Sequence, residues 1–104
     1  MEILATARYA LGAEVKLVKV SDDFYMYGTQ AEFDSLLGVS VDRCGSLGKV
    51  LSHCLSIAEL CKKNIVKYQK EFEKDKHEGW QMMIEHEKAD LDMLLLFAET
   101  LKSI

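Results

Sequence analysis

Three cysteines, three histidines and seventeen carboxylates are the groups in this chain that could do chemistry. An attacking thiol needs a base within hydrogen-bond reach and a depressed pKa. His53 adjoins Cys54, but consecutive helix residues project about 100° apart and do not meet. Cys54 and Cys61 fall on an apolar stripe and read as core, while Cys44, in a glycine-containing connector, is the thiol expected at the surface. His86-Glu87-Lys88-Ala89-Asp90 begins like a zinc-protease helix but lacks the second histidine four residues on, which leaves two ligands, too few for a metal. Asp22-Asp23 reads as a turn former rather than an acid–base pair. No nucleophile elbow and no phosphate-cradling or dinucleotide-binding glycine pattern occurs. The expectation is therefore a non-enzyme without metal or cofactor.

The elements that would position these groups are clearest from Leu47 to Leu101. Leu47, Leu51, Cys54, Ala58, Cys61, Ile65, Tyr68 and Phe72 alternate spacings of four and three, which places all eight on one helix face. Trp80, Ile84, Glu87, Leu91, Leu94, Ala98 and Leu101 repeat the pattern with one charged member. The polar segment Glu73 to Gly79 between them is where an antiparallel hairpin would turn. Ser46 is placed to cap the first helix. The complete lack of proline suits long helices.

The N-terminal portion reads as strands. Glu14 to Val20 and Phe24 to Tyr27 are β-branched or aromatic and are joined by Ser21-Asp22-Asp23, a hairpin pattern. Residues 3–11 alternate as a third strand through Ile3, Ala5, Ala7 and Tyr9, with a short helix ending at Gly12 as the alternative. Thr29-Gln30-Ala31-Glu32 is a capping box opening a short helix over residues 30–37, with Gly38 placed to end it. The expected fold is α+β in one domain of residues 1–104. A small antiparallel β-meander and short helix fill 1–45, and a long antiparallel α-helical hairpin fills 46–104.

Composition and surface then bound the function. The net charge of −4 disfavours nucleic acid and anionic membrane as partners. The odd cysteine count without a CxxC pair, together with an N-terminus unlike a signal peptide, points to a reducing cytoplasm. The longest apolar run, Met93 to Ala98, is far short of the roughly 20 residues of a membrane span. Lys63, Lys67, Lys70 and Lys74 form a basic ridge, expected to set the hairpin register by pairing Lys70 with Glu85, Lys67 with Glu87 and Lys63 with Asp92. Glu87, inside the apolar stripe, is expected to meet the Tyr68 hydroxyl or to mark a gap that a partner fills.

Of the aromatic strand, Tyr25 and Tyr27 are read as the outward pair, since tyrosine is enriched at interfaces. The second long helix carries more apolar residues than a hairpin needs, so Met82, Met93, Leu96 and Phe97 are expected at a homodimer interface. Residues 1–45 hold seven acids against four bases. Asp22, Asp23, Glu32 and Asp34, with Tyr25 and Tyr27, accordingly form the expected partner surface. The functional expectation is a non-enzymatic protein-binding module. It would be a small acidic inhibitor or adaptor of the toxin-immunity or phage- and plasmid-encoded anti-defence kind. A homo-oligomeric assembly protein and a small-molecule or metal binder with a pocket between sheet and hairpin are the rivals.

Overall fold

The computed structural model describes residues 1–35 and 38–104. The expected α+β architecture is present, with a four-stranded antiparallel sheet followed by a long helical hairpin. Strands β1 (Glu2–Arg8), β2 (Glu14–Ser21), β3 (Phe24–Gly28) and β4 (Cys44–Gly45) pair in sequence order. Residues 2–8 thus take the strand, and β4 adds a two-residue rung from the connector. Helix α1 (Gln30–Asp34) follows β3, and the hairpin consists of α2 (Leu47–Asp75) and α3 (Glu78–Lys102). No helix among the described residues is long and apolar enough to cross a membrane.

Local chemistry accounts for the element ends. The Thr29 hydroxyl accepts the Glu32 N–H at 3.1 Å, and a Glu32 carboxylate oxygen accepts the Thr29 N–H at 2.9 Å, which completes the capping box. The helix it opens is shorter than expected: it stops at Asp34, with Ser35 already extended. Leu36 and Leu37 lie outside the described residues. Gly38 serves a different purpose from the expected C-cap. A Cβ there would fall 2.0 Å from the Glu32 carbonyl oxygen, so only glycine permits this close approach. Ser46 caps α2 by accepting the Lys49 N–H at 3.2 Å. At the hairpin turn Lys76 adopts the left-handed conformation (φ 54°), and the His77 ring nitrogen accepts the Gly79 N–H at 3.0 Å. Gly79 is therefore inside α3 rather than in the turn.

Both apolar stripes are buried or half-buried along their whole length, and the core forms where they meet one face of the sheet. That inner face carries Val15, Leu17, Tyr25 and Tyr27, which pack with Val50, Cys54, Ala58, Leu94, Phe97 and Leu101. Met93 and Phe97 face this core too, and are closed off within one chain. They cannot form the expected dimer interface. That part of the wide apolar surface of α3 is explained instead by its two neighbours, α2 on one side and the sheet on another, while Met82 and Leu96 remain exposed.

The expected ion pairs between the long helices do not form. Among the described residues the ion pairs of α2 and α3 are local, Lys62 with Glu59 and Lys102 with Glu99. The reason is helical geometry. At about 100° per residue, the ridge Lys63, Lys67, Lys70 and Lys74 lies on the opposite side of α2 from the stripe that meets α3. Register comes from the interlocking stripes and from polar contacts between the helices, Asn64 donating to Glu87 and Trp80 to Asp75, each at 3.4 Å. Tyr68 does not meet Glu87. Its ring packs on Trp80 with centroids 6.0 Å apart.

Candidate functional site

The densest group of chemistry-bearing side chains lies where β3 leaves the sheet. Glu32 and Arg43 pair through both carboxylate oxygens, with Nη1 on Oε1 at 3.1 Å and Nη2 on Oε2. The same guanidinium reaches the Gly38 carbonyl at 3.4 Å and stands 5.7 Å over the centre of the Tyr27 ring. The Tyr27 hydroxyl lies 2.9 Å from His53 Nε2. Local structure delivers each member: the capping box fixes Glu32, a 3-10 turn over Val41–Arg43 presents Arg43, and α2 carries His53.

The electrostatics follow from these contacts. Arg43 donation, together with the Thr29 N–H, holds the Glu32 carboxyl at about 2, well below the usual range. Burial pushes the Tyr27 hydroxyl up, and burial pulls the His53 imidazole down. Tyr27 and His53 thus meet as neutral groups, around an ion pair whose carboxylate oxygens are both occupied. The arrangement clamps α1, the connector and α2 onto β3. Sequence reasoning missed Arg43, His53 and Tyr9 as members of this group, the Tyr9 hydroxyl being half-buried with its pKa raised by burial. The acid at the third position of the capping box, followed by a lone arginine before β4, was the available signal.

The clamp overturns part of the expected partner surface. Glu32 is engaged internally and is not a free carboxylate for a partner. Tyr25 and Tyr27 are buried, at 3% and 4% exposure, because β2 pairing sets them on the face of Leu17, toward the helices. The outward residues of β3 are Phe24 and Met26. The acids are also divided. Asp22 and Asp23 occupy the turn before β3, whereas Glu32 and Asp34 lie beyond its other end. Asp22 remains fully exposed with Lys19 at 3.6 Å, Asp23 accepts from Ser21 at 3.1 Å, and Asp34 from Gln30 at 2.9 Å.

The outer face of the sheet, expected to present Tyr25 and Tyr27, carries a different set of residues. The registers align Ile3 with Val18, Val18 with Met26 and Met26 with Cys44, an apolar row crossing all four strands. Neither long helix packs on this face, since the core lies on the other one. Ile3 at its edge is 57% exposed and Phe24, two residues from Met26, is 39% exposed, whereas Val18 in the middle of the row is buried at 1% and Met26 and Cys44 are half-buried. The other groups considered from the sequence are placed singly. His86 is exposed, and Asp90 is half-buried with its carboxyl pushed up by burial and by Glu87. Cys54 is pushed up to about 11 by burial, and Cys61 to about 12 by burial and the neighbouring Glu87 carboxylate. A thiol-reactive dye should accordingly label Cys44 in the folded protein. Cys54 and Cys61 should react at least about tenfold more slowly until denaturant is added. Stopped-flow or mass-spectrometric labelling would read this, and equal rates for all three would contradict the packing. No protein-family model matches this chain, and no curated protein or solved structure is significantly similar to it.

Proposed function

We propose that this chain is a non-enzymatic protein-binding module, a small acidic inhibitor or adaptor, that docks through the outer face of its sheet. The observation that carries the reading is the row Ile3–Val18–Met26–Cys44, apolar on every strand and on the sheet face away from the hairpin, with Ile3 exposed at its edge, Met26 and Cys44 half-buried and Val18 closed off at its centre. Phe24 extends the row toward Asp22 and Asp23 at the β2–β3 turn. An apolar strip ending in two carboxylates fits a protein partner whose own apolar patch is bordered by lysine or arginine. The three free thiols support a working place in a reducing cytoplasm.

The test is tagged capture from the native host, followed by calorimetric titration of the purified partner. Phe24→Asp and Ile3→Asp should each weaken binding about tenfold or more, the scale of a disrupted interface anchor. Both side chains are exposed, so the fold should tolerate the changes. Asp22→Lys with Asp23→Lys should weaken binding and reduce its salt dependence. Partner binding that both aspartate substitutions left intact would remove the outer face from the proposal. Failure to capture any stoichiometric partner would count against the binding-module reading itself.

A further inference from the structure

The two long helices carry opposite charges on their outer backs, and among the described residues these charges form no ion pair within the chain. On α2 the exposed ridge is Lys63, Lys67, Lys70 and Lys74, directed away from α3. The outer side of α3 repeats Glu78, Glu85 and Asp92 every seven residues, all exposed. Interleaved four residues after each acid come Met82, Ala89 and Leu96, also in steps of seven. Met82 is largely exposed, and Leu96 lies in an open groove of about 360 Å³ between α3 and β1. This second stripe has the four–three spacing of a helix-docking seam, yet no helix of the chain covers it.

We infer that the occupant of this seam is a second copy of the same chain, which lays the basic back of its α2 along the acidic and apolar back of α3. Charge complementarity selects this pairing, since α2 against α2 and α3 against α3 would oppose like charges. The spacing of the two backs agrees with it. Within the hairpin Asn64 stands opposite Glu87. The same antiparallel register between copies sets Lys67 level with Glu85 and Lys74 level with Glu78, each to within one residue. Lys70 and Lys63 then fall level with Met82 and Ala89, where the aliphatic stems of lysine can cover apolar side chains. The two backs are different surfaces on opposite sides of the hairpin, so the contact is heterologous. Each added copy leaves one of each back free, and association continues into a chain or closes into a ring. This inference uses the hairpin alone and does not rest on the outer sheet face.

The experiment is sedimentation velocity on the full chain over a concentration series, with paired charge reversals. Wild-type mass should grow beyond two chains as concentration rises at low salt. It should fall toward one chain in about 1 M salt, where screening acts within about 3 Å. Lys67→Glu with Lys74→Glu should stay monomeric, as should Glu78→Lys with Glu85→Lys. An equimolar mixture of the two double variants restores both contacts and should recover the wild-type growth in mass. Circular dichroism confirms that each variant is helical. If either reversal does not fold, Lys67→Gln with Lys74→Gln replaces it and should weaken association about tenfold. A wild-type monomer at every concentration, a dimer that grows no further, or a mixture that stays monomeric would each overturn the inference.

Discussion

Phe97→Ala should lower the stability of this protein by about 3–5 kcal/mol, the range for emptying a fully buried phenylalanine site. Phe97 has no exposed surface and lies at the junction of α3 with the sheet, its ring 5.5 Å from that of Tyr27. Its neighbours Val15, Leu17 and Leu94 belong to the same packed cluster and can follow a missing ring only partly. A domain of this size has about 5–15 kcal/mol in total, so the variant should be at or near the edge of folding. Urea unfolding followed by circular dichroism should show the midpoint falling well below wild type, and thermal unfolding should begin about 20 °C lower. Leu96→Ala, one residue along and half in solvent, should cost no more than about 1 kcal/mol. The contrast between the two separates a core position from a surface one. An unchanged midpoint for Phe97→Ala would show that this side chain is not in the intramolecular core.

Acid should release the Glu32–Arg43 clamp between about pH 4.5 and pH 2. The Glu32 carboxyl is depressed to about 2 in the folded protein, from an ordinary value of 4.5, chiefly by donation from Arg43. A depressed acid contributes its full stabilisation above the unfolded value and loses it as pH falls through the folded one. The shift corresponds to about 3 kcal/mol at most, and about 2 kcal/mol after allowing for the part of the pair that faces solvent. Glu32→Gln should therefore unfold about 2 kcal/mol more easily than wild type at pH 7, and the gap should close near pH 2. Arg43→Ala should cost at least as much, because it also removes the guanidinium from the Tyr27 ring and from the Gly38 carbonyl. The Glu32→Gln and Arg43→Ala double-mutant cycle should show coupling of about 2 kcal/mol. A gap between wild type and Glu32→Gln that did not change with pH would mean the carboxylate charge is not what holds the clamp.

The hairpin was legible in the sequence because helix periodicity is a local property. Fifteen stripe residues repeat with one period, and whatever covers them, that period makes two amphipathic helices. The capping box and the Ser46 cap were legible for the same reason, since their hydrogen bonds span three residues. Strand alternation was equally local and showed that β3 has two faces. Which face is buried was not local. Phe24 with Met26 and Tyr25 with Tyr27 are both apolar pairs, and the choice falls to the register with β2, which sets Tyr27 beside Leu17. Once inside, the Tyr27 hydroxyl reaches His53, twenty-six residues away along the chain. The proposed partner surface changed with that choice, from two tyrosines to a row that exists only when four strands are laid side by side.

The sequence by itself determined the two long helices, three of the strands, the Thr29 and Ser46 caps and the antiparallel pairing of α2 with α3, because each rests on contacts within a few residues or on a sustained period. Only the tertiary structure decided that Met93 and Phe97 close the core, that Glu32 is held by Arg43, and that Ile3, Val18, Met26 and Cys44 line up on the sheet face away from the hairpin. Those outcomes depend on which surfaces meet across long stretches of chain. Burial of the larger apolar set and satisfaction of each buried polar group settle such choices jointly, and no single segment encodes the result.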